Sequence, residues 1–275
     1  MDAVANALAL FAVRTPTLPP ATHTNTWIVG DPTGFTVVDP ASPYEDEQQR
    51  LFGALADRIR DGARIRRLLL THHHADHVSG AVDLQRRLRS IGHDVPIAAH
   101  PVTAELVRRT IPVDEPVADG ARLEQVVALL TPGHAPGHLV LHAEDHGWTI
   151  AGDMVAGIGT IVIDPDEGDL QDYLDSLELL RRLGTGRLMP AHGPVIEEPE
   201  AVLSHYIAHR NHRTDQIRAA LIRSGPASTP LALAPLVYPE LPATHHPLAA
   251  IQIRTHLNWL RRRGLAHETA GAWSA

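Results

Sequence analysis

No cysteine occurs among the 275 residues, so disulfides, thiolate zinc sites, iron–sulfur clusters and a cysteine nucleophile are all excluded. Aromatic residues make up only 4%, which leaves little with which to stack single-stranded bases. Positive charge is in deficit: 24 Lys and Arg stand against 32 Asp and Glu, a net −8 with His neutral. Such a chain is a poor general binder of polyanions, although a local basic patch is compatible with it. No run approaches the roughly 18 apolar residues of a membrane-spanning helix. The apolar run Ala3 to Val13 is preceded only by Asp2, where a secretory signal carries a basic leader, so it reads as structure and the protein as cytoplasmic. What is present is ordinary globular composition, 44% apolar and 20% charged, which excludes disorder, collagen and coiled coil. Histidine stands out with 19 copies. Any metal site must therefore rest on imidazole and carboxylate.

The first 200 residues alternate short β-like runs with amphipathic helical patterns, as α/β architectures do. Trp27–Gly30 and Phe35–Asp39 flank Asp31-Pro32-Thr33-Gly34 as a hairpin. Ser42-Pro43-Tyr44-Glu45 has the form of a capping box opening a helix that ends near Gly62. Ile65–Leu70 reads as a buried strand and Val78–Ile91 as a helix. Strands follow at Val95–Ala99, Val126–Leu130, Trp148–Ala151 and Arg187–Pro190, with a helix over Asp169–Leu183. After Pro199 the pattern becomes helical: Ala201–Arg223, Leu231–Val237 and Pro247–Arg263. This divides the chain into a catalytic domain, residues 1–200, and a small helical domain, residues 201–275, winged-helix-like and closed by Leu265–Glu268.

The informative stretch is Thr71-His72-His73-His74-Ala75-Asp76-His77. His72, His74, Asp76 and His77 are four ligand-capable side chains within six residues, placed directly after a buried strand. A turn there can aim such groups at two adjacent ions. A histidine tag would sit at a terminus and lack the embedded Asp. Further ligands belong at later strand ends, since sites in layered α/β folds gather there. Thr131-Pro132-Gly133-His134, Gly152-Asp153 and His192-Gly193 each follow a strand, and each carries a glycine that lets backbone approach a metal closely.

Together these motifs resemble the metallo-β-lactamase superfamily, whose fold is a four-layer αββα sandwich, an α/β (α+β) architecture. The resemblance assigns His72, His74 and His134 to one ion, Asp76, His77 and His192 to a second, and Asp153 to a bridge. Asp39 matches the family's supporting acid. Thr24-Asn25-Thr26-Trp27-Ile28-Val29-Gly30, Gly152-Asp153-Met154-Val155-Ala156-Gly157, Tyr173-Leu174-x-Ser176-Leu177, His192-Gly193-Pro194-Val195-Ile196 and His209-Arg210-x-x-Arg213 are similar to the β-lactamase-like-protein-2 branch. That branch includes endoribonucleases, and near relatives are thioesterases acting on polyketide carrier proteins.

The chemistry expected is hydrolysis by a hydroxide shared between two divalent ions, with Asp76 orienting it and Asp153 setting the intermetal distance. The ligand chemistry suits Zn²⁺, and also Mn²⁺ or Fe²⁺. The absence of cysteine excludes the zinc site of Cys-containing β-lactamases. An ester-like bond is the expected target, thioester ahead of lactone, on a small-molecule or carrier-linked acyl substrate. Cleavage of single-stranded RNA is the alternative, supported by Arg210, Arg213, Arg218, Arg223 and Arg261–Arg263. Persulfide oxidation at mononuclear iron would leave part of the second ligand set unused. A non-catalytic metal- or partner-binding module would not need a bridging Asp153. Substrate-side candidates are His138, Thr160 and Tyr173, each weighed against a buried or solvated structural role. His100 and His142 read as structural, and His205, His209 and His212 as one face of a helix. No membrane association is expected, and homodimerisation is compatible with the helical tail.

Overall fold

The computed structural model describes residues 8–31, 33–225 and 227–275. The beginning of the apolar N-terminal run and Pro32 of the expected hairpin turn lie outside them. The chain forms two compact units. One comprises residues 1–131, 136–160 and 185–199; the other comprises residues 132–135, 161–184 and 200–275.

The first unit holds two sheets. Strands β1 (Leu8–Arg14), β2 (His23–Asp31), β3 (Gly34–Val38), β4 (Ile65–Leu70), β5 (Ile97–Ala99) and β6 (Glu115–Pro116) pair in chain order. The first three run antiparallel and β3 to β6 run parallel. The second sheet has the order β11 (Arg187–Pro190), β10 (Trp148–Gly152), β9 (Leu139–Ala143), β8 (Val126–Leu130), β7 (Arg122–Leu123), with β10 and β11 parallel. Side chains alternate faces along a strand, and the two cores follow that alternation. Ile28, Val37, Leu68, Leu70 and Ile97 face helices α1 (Glu45–Arg60) and α3 (Ala81–Ser90) through Leu51, Leu55, Leu84 and Leu88. Val29, Val38, Leu69 and Ala98 point the other way, onto Ala128, Leu139, Leu141 and Ile150 of the second sheet. Being buried on both faces is why β4 reads as an unbroken apolar run at Leu68–Leu70.

Local starts and stops differ from expectation in two places. Tyr44, in extended conformation, occupies the N-cap of α1 and makes no side-chain cap, so the capping box at Ser42 does not form. Ser42 Oγ instead accepts from the Tyr44 N–H at 3.2 Å, and the acidic first turn Glu45, Asp46, Glu47 satisfies the helix dipole. The helix expected over 78–91 is split into α2 (Ala75–Val78) and α3. The chain turns at Gly80 against the Pro40 carbonyl, 2.4 Å from where a Cβ would stand. Helix α4 (Pro101–Val107) and the two-residue strands β6 and β7 were not anticipated; they are too short to carry a periodic signal.

In the second unit, Asp169 caps α5 (Leu170–Leu183) by accepting from the Gln171 and Asp172 N–H groups at 2.8 and 3.1 Å. Helices α6 (Pro199–Ser224), α7 (Pro230–Val237) and α8 (His246–Arg262) precede the hairpin β12 (His267–Thr269) and β13 (Ala272–Ser274). Ile217, Leu221, Leu233, Ile253, Leu257 and Trp273 form their common core. This is a winged helix, three helices and a β-wing. Buried inside it, His256 Nδ1 meets Thr214 Oγ1 at 2.7 Å. Burial, followed by the nearby Arg210 and Arg213 charges, holds His256 well below the ordinary histidine range.

His256 is neutral when folded but protonates when unfolded near its ordinary value of about 6.5. Acid therefore favours the unfolded state, and this contribution is lost as pH falls below that value. Calorimetry of the full chain should show the winged-helix transition falling on acidification, and His256→Gln should flatten that dependence. An unchanged slope in the variant would show that another group carries it.

Candidate metal centre

The C-terminal ends of the strands in the first unit build the site. Strand β3 delivers Asp39, β4 runs into Thr71–His77, β10 ends on Asp153, and β11 leads to His192. Parallel neighbours place their C-terminal ends at one edge, which brings segments distant in sequence together.

Asp39, 2% exposed, anchors the β4 turn. Its Oδ1 accepts from the Thr71 N–H and its Oδ2 from Thr71 Oγ1, both at 2.7 Å. Oδ2 also faces His77 Nδ1 at 2.9 Å. Since the Thr71 hydroxyl donates to Asp39, its oxygen accepts from His72 Nδ1, 3.0 Å away. His192 Nδ1 lies 3.0 Å from the His23 carbonyl. These contacts place the proton on Nδ1 and present Nε2 of His72, His77 and His192 as donors, the usual outer support of metal-binding imidazoles. His134, on the loop 132–135 of the second unit, follows the same rule. Its Nδ1 donates to the Val162 carbonyl at 2.8 Å, which puts the ring's lone pair on Nε2.

The inward atoms are spaced as ligands are. Metal–nitrogen bonds of 2.0–2.1 Å in a tetrahedron put neighbouring donors about 3.3 Å apart. His72 Nε2 and His74 Nδ1 are 3.0 Å apart. His192 Nε2 lies 3.4 Å from Asp153 Oδ1 and 3.5 Å from Asp76 Oδ2, and His77 Nε2 lies 3.6 Å from Asp153 Oδ2. His72, His74 and Asp153 each offer an atom within 4.8 Å of the others, as do Asp76, His77 and His192. His77 Nε2 is buried with no hydrogen-bond partner, a costly arrangement unless the atom has another purpose. The residues present fit a metal.

Electrostatics agree. Burial opposes charge on His77, but Asp153 and Asp39 outweigh it and raise the imidazole well above its ordinary value. Asp153 is held well below the carboxylate range, burial being overcome by the His77 charge and the His192 hydrogen bond. His192 is raised despite burial by its hydrogen bond to Asp153. The pocket demands positive charge, and protons compete with cations for it.

Several expectations are corrected. His138 does not face substrate: it is fully buried, with the Asp153 N–H donating to its Nε2 at 3.0 Å and its Nδ1 2.9 Å from Thr131 Oγ1. It supports the backbone of Asp153. Tyr173 is likewise fully buried, with the Arg210 guanidinium 5.2 Å over its ring. Thr160 is exposed on the loop after Asp153 and remains a substrate-side candidate. The glycines beside the ligands serve the protein's own packing. A Cβ at Gly152, which has φ +50°, would stand 2.4 Å from His138 Nε2, and one at Gly133 would stand 2.1 Å from the Tyr173 nitrogen. The basic tail is largely spoken for. Arg210 and Arg213 donate to the carbonyls of Ile161 and Val237, Arg261 pairs with Glu268, and Arg262 pairs with Asp169. His100 caps α4 and His142 bonds Thr149, while His205, His209 and His212 lie exposed along α6. Thr71 and Thr131 hold the rings of His72 and His138, and their only signal in the sequence is a threonine at the end of a strand.

A sequence profile of the Metallo-beta-lactamase superfamily matches residues 19–192. The chain belongs to that superfamily. A profile of the Beta-lactamase associated winged helix domain matches residues 229–273. The metallo-β-lactamase chain is 30% identical over 253 residues to a beta-lactamase-like protein 2 homolog of Drosophila melanogaster, spanning 88% of this chain and 83% of that protein. It is 32% identical to the lactamase-like protein nscB of Aspergillus fumigatus, spanning 74% of this chain and 59% of that one. In fold it matches a metallo-beta-lactamase family protein of Thermus thermophilus, with TM-score 0.78, 22% identity and 98% of each chain covered. A beta-lactamase domain protein of Burkholderia ambifaria gives TM-score 0.81 at 22% identity, covering 97% of this chain and 90% of that chain. The αββα architecture with an appended winged helix is thus the fold of this chain. Among the described residues, no helix is long and apolar enough to cross a membrane.

Asp39→Asn preserves shape but weakens the acceptor shared by Thr71 and His77. Loss of such outer support typically costs about 10- to 100-fold in metal affinity. Chelator competition with Zn²⁺ should show that loss, and native affinity in the variant would mean the carboxylate does not orient the ligands.

Proposed function

We propose that this metallo-β-lactamase-fold chain is a hydrolase with a binuclear centre. His72, His74 and His134 would hold one ion and Asp76, His77 and His192 the other, with Asp153 the acid that would serve both. The observation that supports this is the donor geometry: two groups at ligand-edge spacing meet at Asp153, and their imidazoles are tied outward to protein oxygens. A structure described as a di-iron-bound form, 28% identical with TM-score 0.51 over 67% of this chain and 94% of that chain, supports two ions on this scaffold. All-nitrogen and oxygen ligation suits Zn²⁺, Mn²⁺ or Fe²⁺. When bound, such ions supply an activated water and a Lewis acid for the substrate oxygen. Asp76, its side chain 18% exposed and 3.5 Å from His192 Nε2, would accept a proton at its carboxylate and pass it to solvent. Asp153, held by His138 through its backbone, keeps the reacting geometry.

The target we favour is an ester-like bond in a small-molecule or carrier-linked acyl substrate, thioester ahead of lactone. The net −8 charge and the inward commitment of Arg210 and Arg213 weigh against docking an RNA backbone. The exposure of Thr160 on the loop after Asp153 supports its reading as a substrate-side residue.

The purified protein should carry two divalent ions per chain and lose activity to EDTA; full activity with one ion would sink the binuclear reading. Asp153→Ala should fold yet lose at least about 10²-fold in kcat, the scale of a misplaced reacting group. Retained turnover with both ions bound would remove Asp153 from the bridge. Across acyl-CoA thioesters, lactones, β-lactams and single-stranded RNA, thioesters should give the highest kcat/KM. RNA cleavage without thioester turnover would reverse the substrate assignment.

A further inference from the structure

Residues 161–163, which lead from the Thr160 loop towards α5, are gripped along their length by side chains of the same unit. The Ile161 carbonyl accepts from Arg210 Nη2 at 2.5 Å. The Val162 carbonyl faces His134 Nδ1 at 2.8 Å. The Ile163 carbonyl accepts from Gln252 Nε2 at 3.0 Å and from Thr255 Oγ1 at 2.7 Å. The Ile163 N–H donates to Gln252 Oε1 at 3.4 Å, and the same oxygen receives Arg210 Nη1 at 3.2 Å. Arg210 is 5% exposed. Burying a guanidinium is expensive, and a methionine of similar length would fill the space without that cost.

The arrangement has a directional consequence. The Val162 C=O and the Ile163 N–H belong to one planar trans peptide and point in opposite directions. Gln252 holds the N–H end of that plane and His134 meets the C=O end. Arg210 in turn fixes the Gln252 amide and the preceding carbonyl. Rotation of this peptide would take away the acceptor that keeps the His134 proton on Nδ1 and its lone pair on Nε2.

We propose that Arg210 on α6 and Gln252 on α8 are positioning residues for His134, fixing from within their common unit which ring nitrogen this histidine would offer a metal. This rests on the reading of His134 as a metal ligand. It gives the winged-helix region a role that needs no nucleic acid: its helices hold the peptide that orients a ligand of the ion.

The test uses the full chain, with Zn²⁺ as the probe and ¹⁵N-histidine NMR of the metal-free protein as a second readout. Gln252→Leu should keep native circular dichroism, speed solvent exchange of the His134 Nδ1–H, and weaken Zn²⁺ binding by about 10- to 100-fold, the usual scale for outer support of a ligand. Arg210→Met should act in the same direction. Gln252→Glu, which keeps an acceptor for both Ile163 N–H and Arg210, should restore most of the affinity. Gln252→Ala removes the same bonds without added bulk and serves if the leucine variant misfolds. If His134→Ala binds two ions with native affinity, the ligand reading itself fails. If His134→Ala loses an ion while Gln252→Leu and Arg210→Met keep native affinity and a native His134 signal, the positioning role is overturned. Unfolding of both Gln252→Leu and Gln252→Ala would also overturn it, since the contacts would then serve only the stability of the region.

Discussion

A single buried carboxylate, Asp39, is the constraint on which the metal centre depends. It collects the Thr71 N–H, the Thr71 hydroxyl and the His77 imidazole, and through Thr71 it governs the ring of His72. Residues of both candidate ligand groups, His72 in one and His77 in the other, therefore take their orientation from one carboxylate. The geometry carries a backbone cost, because Asp39 sits at φ +51°, where a residue with a Cβ is held at the expense of about 1–3 kcal/mol. The sheet holds it there: the Asp39 N–H donates to the Leu69 carbonyl at 2.8 Å, and Thr26 Oγ1 donates to the Asp39 carbonyl at 2.6 Å. Strain at the site is offset by ordinary strand hydrogen bonds behind it.

The same logic recurs on the β10 side. Asp153 leaves its strand through Gly152, whose left-handed backbone makes room for the His138 ring, and that ring accepts the Asp153 N–H. Asn25 performs a related task, donating to the carbonyls of Pro190 and Gly193, each at 2.9 Å, on either side of His192. Polar side chains thus hold the backbone next to each ligand as firmly as others hold the ligand rings. A cluster with so much unlike charge in so little space would otherwise rearrange or neutralise by proton transfer.

The winged-helix unit shows how misleading charge can be when counted along a chain. Its arginines suggest a phosphate-binding face, yet Arg210 and Arg213 spend their donors on backbone carbonyls, and their guanidinium groups lie over Tyr173 and Tyr238 at 5.2 and 4.1 Å. Arg263 stacks at 3.5 Å on Trp259. Arginine is suited to this use because its planar fork can hydrogen-bond at its edge and stack at its face.

By itself the sequence determined the strands β4, β8 and β11 to the residue, and it showed that His72, His74, Asp76 and His77 stand together in one turn directly after a strand. It determined the winged-helix tail from helix lengths and stops. Only the tertiary structure decided that Asp39 and Thr71 unite the two ligand groups, because their hydrogen bonds close across 32 residues of chain and leave no periodic trace. It decided that His138 and Tyr173 are interior, a matter of which side of a strand or helix meets a neighbour and not of residue type. It decided that Ser42 caps nothing, because the path of the chain at Tyr44 keeps the helix from starting sooner. It also turned Arg210 and Arg213 inward, onto the carbonyls of Ile161 and Val237. A residue's chemistry is written in its letter, but whether that chemistry faces a ligand, a carbonyl or water depends on contacts between segments far apart in the chain, and those exist only once the sheets and helices have packed.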